Sequence, residues 1–342
     1  MDSLKKEKGR IEQYDILRGI AISFMLMANS AASLYIGTPP LPMRLLGSFA
    51  APSFMILAGI MLAIAKKPKL RKGFLLIATG CLIDIFVWQI VPFVTFDVLY
   101  TLGAAILITA YPARLFPIRV LWLLGVVFIL VGQWLQGAFG YNPEILEIAL
   151  PPQNPFPPIK SILSRILRQL FIDGWFPLPP WLGFVWLGAA LQRSLQNTVL
   201  SHGNSFLMLC ISIILFVVSS AYWSLNFVVP EPRVGYTELF YPPDVGFCFT
   251  SISAFCIALF LFQSIVRWQP ALFILAPLKW MGQCSLWIYI LHLVAIRSLL
   301  SLHFETPELN SFLFIVFMLW VFFAITARIL SAYPFVSKRN HV

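Results

Sequence analysis

The sequence predicts an all-α fold, a polytopic transmembrane bundle of about ten helices. Hydrophobic residues account for 59% of its 342 residues and charged residues for only 11%, with a mean hydropathy of +0.85. This balance leaves no room for a soluble domain of any size. The apolar residues also form runs long enough to cross a hydrocarbon core of about 30 Å. We therefore expect residues 1–342 to form a single integral-membrane domain.

Charged or proline-rich breaks separate the apolar runs and set the predicted spans. The spans cover residues 16–36, 44–65, 73–93, 97–112, 119–137, 175–193, 203–227, 245–267, 273–299 and 311–331. The fourth span is the shortest of them. An even number of spans places both termini on the same side of the membrane.

The basic residues predict which side that is, because Lys and Arg are retained in cytoplasmic loops. Placing both termini inside puts 18 of the 24 basic residues on the cytoplasmic side. The six left outside are Arg44, Lys160, Arg165, Arg168, Arg233 and Arg297. The default expectation for the compartment is a bacterial inner membrane, because no targeting extension precedes the first span.

Several function classes have no support in the sequence. The net charge of +10 is spread over short loops and is explained by topology, so we expect no nucleic-acid partner. The motifs HExxH, GxSxG and GxxxxGK are absent, which argues against a metallohydrolase, a serine hydrolase and a phosphate-loop enzyme. The five cysteines all fall within predicted spans without metal-like spacing, and we expect no metal.

Two extracytoplasmic segments are longer than connectors need to be. Residues 138–174 separate the fifth and sixth spans and contain an amphipathic pattern, as expected of a helix on the membrane surface. Such a helix either seals the bundle or forms a lid over an acceptor site. The second segment, residues 226–244, carries aromatic residues beside acids and prolines. It either lines a polar acceptor site or forms an interfacial aromatic belt.

The first span carries polar residues inside an apolar run. Asp15 and Arg18 lie three positions apart and share one helical face, on which Asn29 also falls. Arg18 and Asn29 are about 16 Å apart along the helix axis at 1.5 Å per residue. Because charge at this depth is costly, we expect this helix to line a functional path through the membrane.

Five segments, in order, carry a resemblance to a known family. They are YDILRGIAISFMLMAN, SFAAPSFMILAGIMLA, FDVLYTLGAAILI, PWLGFVWLGAAL and MGQCSLWIYILHL. The first resembles the opening helix of heparan-α-glucosaminide N-acetyltransferase-like proteins, which are relatives of integral-membrane acyltransferase family 3. The others are similar to later helices of the same family. The resemblance implies an enzyme of ten or eleven helices that takes acetyl or acyl groups from cytoplasmic acyl-CoA and delivers them to a sugar amine or hydroxyl on the far side.

The resemblance also assigns residues. Asp15, Arg18 and Gly19 match the D-x-x-R-G motif, Asn29 matches the polar position eleven residues after the Arg, and His292 matches a late-helix His. The chain departs from the family in one respect. Many family 3 acyltransferases have a catalytic His at the position of Asn29, and the glucosaminide enzymes have one in the loop that follows. Here that loop, AASLYIGTPPLPMRL, contains no His.

Acyl transfer needs a base for the attacking group and donors for the oxyanion. Of the four His residues, His292 is the best candidate base; the alternative is a buried His bonded to a backbone carbonyl. Asp84, in the middle of the third span, either orients His292 or pairs with Arg44. Asn29 either steadies the oxyanion and acceptor or bonds a neighbouring helix.

The cytoplasmic end of the first helix is the candidate donor site. Arg18, held by Asp15 and followed by Gly19, is expected to contact the phosphates of CoA. Lys66 and Lys67 belong to the same candidate set. Their alternative role is a topology signal or contact with anionic lipid.

The sequence thus predicts a membrane acyltransferase that uses acetyl-CoA or another acyl-CoA as donor substrate. Its expected partners are membrane lipids and a sugar or glycan acceptor, and a homo-oligomer is compatible with the pattern. Two alternatives stay open: a transporter or channel with a midplane site formed by Asp84, Asn29 and His292, and a non-catalytic scaffold related to the enzymes.

Overall fold

The computed structural model describes residues 12–151, 159–197, 202–226, 233, 235–266 and 268–332. The predicted basic residues before residue 12 and part of the 226–244 segment lie outside these ranges. The described helices are α1 (Glu12–Leu34), α2 (Leu41–Ser48), α3 (Ala50–Ile64), α4 (Leu70–Ile83), α5 (Val98–Thr109), α6 (Pro112–Leu115), α7 (Ile118–Phe139), α8 (Ile159–Arg168), α9 (Leu178–Asn197), α10 (His202–Asn226), α11 (Val245–Ile265), α12 (Gln269–Ile274), α13 (Ala276–Gln283), α14 (Ser285–Ser301) and α15 (Leu309–Ala332). The predicted all-α class is confirmed.

The helices are those of an integral membrane protein. Six described segments are long and apolar enough to cross a membrane: α1, the pair α2 and α3, α7, most of α10, α11 and α15. The pair α13 and α14 makes a seventh if it counts as one span. The predicted spans at 73–93, 97–112 and 175–193 coincide with α4, α5 and α9, which are shorter, less apolar or interrupted.

Two predicted spans differ from the structure in shape. The span expected over 273–299 breaks at Cys284, where α13 and α14 meet at 89°. The span expected over 73–93 leaves the α-helix after Ile83, passes through a π-helical turn at Asp84–Trp88 and ends at Gln89 in the left-handed region, with φ of 57°. Hydrophobicity along the sequence does not reveal either interruption.

The break after α13 accompanies an unusually close helix contact with α1. A Cβ atom on Gly19 would lie 1.9 Å from the carbonyl oxygen of Leu278, and a Cβ on Gly282 would lie 1.8 Å from the carbonyl oxygen of Asp15. Only glycine permits two backbones to approach this far. The glycine of the D-x-x-R-G motif is therefore a packing residue in the contact between α1 and α13.

The described parts of residues 138–177 and 233–244 form a layer that we call the cap. The predicted helix in the first segment is present as α8, and a π-helical turn at Gln169–Asp173 follows it. The guanidinium of Arg233 joins the two segments: it donates to the carbonyls of Pro143 and Gly174 at 2.7 and 3.0 Å and lies over the ring of Trp175 at 5.1 Å. This buried cation therefore holds the two segments of the cap together.

Candidate functional site

A cavity of about 450 Å³ lies between the bundle and the cap. Its wall is mostly apolar, with contributions from α1, α3, α5, α14 and the cap. Its polar lining residues are Asn29, Ser33, Asp84, Thr95, Asp97, Glu147, Tyr236, Glu238, Tyr241, Ser285, Tyr289 and Arg297. An apolar cavity of this size with a few converging polar groups is typical of a small-molecule site.

Asn29 and His292 meet at the cavity wall. The distance from Asn29 Nδ2 to His292 Nε2 is 2.8 Å, and His292 Nδ1 lies 3.1 Å from the carbonyl oxygen of Ile288. Because a carbonyl only accepts, Nδ1 carries the imidazole proton and Nε2 accepts from the amide. His292 is fully buried, whereas Asn29 lines the cavity. Among the described residues, no other hydrogen bond involves the side chain of Asn29, so its second amide hydrogen and its Oδ1 are available to a ligand.

Asp84 is held by a different partner. The hydroxyl of Tyr100 on α5 donates to Asp84 Oδ2 at 2.5 Å, while the described hydrogen bonds of His292 go to Asn29 and Ile288. The described hydrogen bonds therefore do not join Asp84 to His292 as the predicted dyad, although Asp84 and Asn29 line one cavity. The role of each side chain stays a prediction.

The cavity also contains acids that the sequence reasoning did not single out. Asp97 caps the start of α5, where its Oδ1 accepts from the N–H of Val98 at 2.6 Å and its Oδ2 from Tyr289 at 3.3 Å. Glu147 and Glu238 reach the cavity from the two cap segments. The sequence offered one indication of these acids. The whole chain has only 14 acidic residues, so an acid beside an apolar run is uncommon and requires an explanation.

Four carboxyl groups thus line a single cavity. Partial desolvation raises the pKa of the carboxyl of Glu147, which is nevertheless an exposed residue. Burial raises the pKa of the Glu238 carboxyl to about 7, although the charge of Arg44 lowers it in part. The basic group among the described lining residues is Arg297, whose side chain is exposed. At pH values at which these carboxyl groups are ionised, such a lining raises the local concentration of cationic ligands.

The predicted donor-site residues lie away from this cavity. Arg18 donates to Asp15 Oδ1 at 3.2 Å and approaches the carbonyl of Gly282 at 3.5 Å, beside the close contact at Gly19. Ile22 lines the cavity, and Arg18 is four residues, or about 6 Å, nearer the start of α1. The structure brings Asp15, Arg18 and Gly19 together at α13.

The other predicted donor-site residues, Lys66 and Lys67, are exposed in the connection between α3 and α4. Among the other His residues, His303 is exposed after α14. His341 lies outside the described residues. Of the residues that follow α8, Trp175 and Phe176 line the cavity, whereas Leu163 and Leu167 of α8 are exposed.

Comparison with known proteins adds one match. The family model described as heparan-alpha-glucosaminide N-acetyltransferase, catalytic, matches residues 10–226, more than half of the chain. The matched region contains Asn29, Asp84 and Asp97, whereas Glu238 and His292 lie beyond it. No curated protein matches the chain.

Proposed function

We propose that the chain, which belongs to the heparan-α-glucosaminide N-acetyltransferase catalytic family, transfers an acetyl or short acyl group from acyl-CoA to an amine or hydroxyl of a sugar or glycan. Family membership supports the coarser statement that it is a membrane acetyltransferase. The donor, the acceptor and the side of the membrane on which each binds are our proposal.

The observation that carries the proposal is the cavity that Asn29 lines with His292 behind it. An amide held in place by a buried imidazole supplies a fixed donor and a fixed acceptor, which cost no reorganisation during the reaction. In our mechanism the second Nδ2 hydrogen of Asn29 steadies the oxyanion formed at the thioester carbonyl. Removing one such donor typically lowers kcat by about 10²- to 10³-fold.

The four carboxyl groups favour an amine over a hydroxyl as the reacting group of the acceptor. A sugar amine arrives largely as an ammonium ion, which the acidic lining attracts. A neutral sugar hydroxyl gains nothing from the same charges. We therefore propose an amino sugar, free or at the end of a glycan, as the acceptor.

The donor would enter from the end of α1 that carries Arg18. The phosphates of acetyl-CoA need fixed positive charge, and Arg18, oriented by Asp15, is the candidate nearest to the cavity floor. Lys66 and Lys67 extend the basic surface in our scheme. The excess of basic residues supports a cytoplasmic location for this end and an outer location for the cap. In our proposal the enzyme passes an acetyl group across a bacterial inner membrane.

The test is titration of acetyl-CoA into the detergent-purified protein by calorimetry, followed by detection of N-acetylglucosamine after adding glucosamine. We expect saturable binding by the wild type and by His292→Ala, and a loss of at least about tenfold in affinity for Arg18→Ala. Arg114→Ala is the matched control, because Arg114 is exposed on α6 and carries the same charge on the same side.

Absence of acetyl-CoA binding by a folded wild type would contradict the proposed donor. Binding without product would contradict glucosamine as the acceptor. If longer acyl-CoAs also failed to bind, the enzyme proposal would give way to the transporter or scaffold alternatives.

A further inference from the structure

Glu238 lies on a cap segment whose backbone is fixed on both sides of it. Arg44 on α2 donates through Nε to the carbonyl of Thr237 at 2.6 Å, and the N–H of Leu239 donates to Ser48 Oγ at 2.7 Å. A Cβ on Gly235 would lie 2.8 Å from the carbonyl oxygen of Ala32, so this segment of the cap is in close contact with α1. Glu238 is therefore held at the cavity, close to the part of α1 that carries Asn29.

The carboxyl group of Glu238 has a bonding capacity that the protein does not use. The residue is 8% exposed and lines the cavity, and its Oε2 has no hydrogen-bond partner among the described residues. A buried carboxyl oxygen without a partner costs free energy. Such an exception needs an explanation, and a substrate proton donor would supply the missing partner.

Other bases at the cavity are already engaged or solvated. Nε2 of His292 accepts the hydrogen bond from Asn29. Asp84 accepts from Tyr100, and Asp97 from Val98 and Tyr289. The side chain of Glu147 is exposed. Among the described lining carboxyl groups, Glu238 combines burial with an oxygen that has no partner.

We propose that Glu238 is the general base that removes the proton from the acceptor amine or hydroxyl, a role that rests on the proposed acetyltransferase function. Glu238 would thus supply the base that the His-free loop after α1 does not. His292 is then a positioning residue that acts through Asn29 and does not itself touch the substrate.

The proposed step balances without a further reactant. An acceptor amine that arrives as an ammonium ion first gives one proton to water. The nitrogen or oxygen of the acceptor then bonds to the carbonyl carbon of the thioester while one of its protons passes to the Glu238 carboxylate. Collapse of the tetrahedral intermediate breaks the carbon–sulfur bond, and the CoA thiolate leaves. The thiolate takes one proton from water, and Glu238 returns one proton to water, so the products are an acetamide or ester and free CoA.

The surroundings of Glu238 suit this role at neutral pH. Burial raises the pKa of its carboxyl group to about 7, and the charge of Arg44 on α2 lowers it in part. The other titratable groups that interact with Glu238 are Tyr236 and Tyr241 on its own segment. The charges of Asp97 and Glu147 also act on Tyr236. A base with a pKa near the working pH is the most efficient one.

The experiment compares wild type, Glu238→Gln and Glu238→Asp in acetyl transfer from acetyl-CoA to glucosamine and to hydroxylamine. Hydroxylamine is a nucleophile that is unprotonated at neutral pH and has less need of a base. We expect Glu238→Gln to lose about 10²-fold or more in kcat with glucosamine and about tenfold or less with hydroxylamine. Glu238→Asp should restore part of the loss.

A pH profile supplies the second readout. The wild-type kcat should fall as the pH drops below about 7 because the base becomes protonated, and the residual rate of Glu238→Gln should lack this inflection. Glu144→Gln is the matched control, since Glu144 is an exposed acid of the same cap and should behave as wild type. Affinity for acetyl-CoA should be unchanged in all variants within about threefold.

The outcomes distinguish a failure of the Glu238 assignment from a failure of the acetyltransferase function. Wild-type transfer with an equally active Glu238→Gln would overturn the assignment of Glu238 and leave the acetyltransferase function standing. Absence of transfer by a folded wild type to either nucleophile would overturn the function, and with it the inference. An equal loss by Glu238→Gln with both nucleophiles would also overturn it, because a structural defect does not distinguish them.

Discussion

Asn29 on α1 and His292 on α14 are joined by a hydrogen bond of 2.8 Å between Nδ2 and Nε2. The bond ties the helix with the D-x-x-R-G motif to a helix beyond the matched family region. It occupies the imidazole nitrogen that a direct base would use. We therefore infer that the imidazole of His292 orients the amide of Asn29 and that a separate group removes the proton from the acceptor.

Removing either partner of this bond should impair the same step. We expect Asn29→Ala to lower kcat by about 10²-fold and His292→Ala by roughly tenfold, because the amide remains but loses its orientation. The double variant should be no slower than Asn29→Ala alone, since residues that act as a unit are not additive. His292→Gln should recover part of the rate, as its side-chain oxygen can accept from Asn29. The measurement is initial acetyl transfer from acetyl-CoA to glucosamine.

A multiplicative double variant would show that the two residues act independently and would remove the positioning role from His292. The KM for acetyl-CoA serves as the control, because neither substitution touches Arg18. A His292→Ala variant that lost all activity while His292→Gln stayed equally inactive would restore His292 as the base.

The glycine of the D-x-x-R-G motif should matter through packing. In Gly19→Ala the new Cβ would lie 1.9 Å from the carbonyl oxygen of Leu278, so α1 and α13 must separate. We expect a loss of at least about 2 kcal/mol in stability, typical of overpacked positions. The readout is the thermal unfolding midpoint in detergent and the yield of monodisperse protein.

Gly137→Ala is the control for this substitution, because no atom of the described residues outside the adjacent helix backbone lies within 4 Å of a Cβ at Gly137 on α7. It should leave the midpoint unchanged or slightly raised, since alanine favours the helix. Equal behaviour of the two variants would contradict the close contact between α1 and α13.

Patterns that depend on one helix or one loop were readable from the sequence, and those that depend on packing were not. Apolar periodicity predicted the helix class and the amphipathic helix now seen as α8. The break at Cys284 was not recognised, because the short interruption by Gln283 and Ser285 lies between two apolar stretches that together have the length of one span. The bond from Asn29 to His292 joins residues 263 positions apart, and no local pattern encodes such a pairing. Glu238 was readable only as part of a segment with aromatics and acids, since its burial depends on α1 and α2.

Arg233 should hold the cap together. Its guanidinium donates to the carbonyls of Pro143, Asn142 and Gly174 and to the hydroxyl of Tyr141. Lysine keeps the charge but has no planar fork of donors, so Arg233→Lys should loosen the cap and leave buried carbonyls unpaired. We expect limited proteolysis in the cap to accelerate by roughly tenfold while the bundle stays intact.

Arg165→Lys is the comparison for this prediction, because Arg165 also lies in the cap segment but is only partly buried on α8. It should be cleaved at the wild-type rate. Equal cleavage of Arg233→Lys and wild type would mean that the guanidinium is not what joins the two cap segments.

Glu238 should lower the stability of the protein at the pH at which it is proposed to work. Its carboxyl pKa is about 7 in the folded protein, against an ordinary value of 4.5, so the folded state binds this proton more tightly than the unfolded chain does. The resulting stabilisation is complete below about pH 4.5 and is lost as the pH rises to about 7. Above that pH the buried carboxylate destabilises the fold.

Glutamine resembles the protonated acid at every pH, so Glu238→Gln should unfold at a higher temperature than wild type at about pH 8, by the equivalent of roughly 1–3 kcal/mol. Near pH 5 the difference should shrink, because most of the wild-type side chain is then protonated. Glu144→Gln, at an exposed acid, should show no such pH-dependent difference. Thermal unfolding of the three proteins at both pH values makes the comparison. If Glu238→Gln is more stable than wild type at high pH and also loses transfer to glucosamine, Glu238 is a residue kept for activity at the expense of stability. The same shift of the midpoint at both pH values would contradict the raised pKa of Glu238.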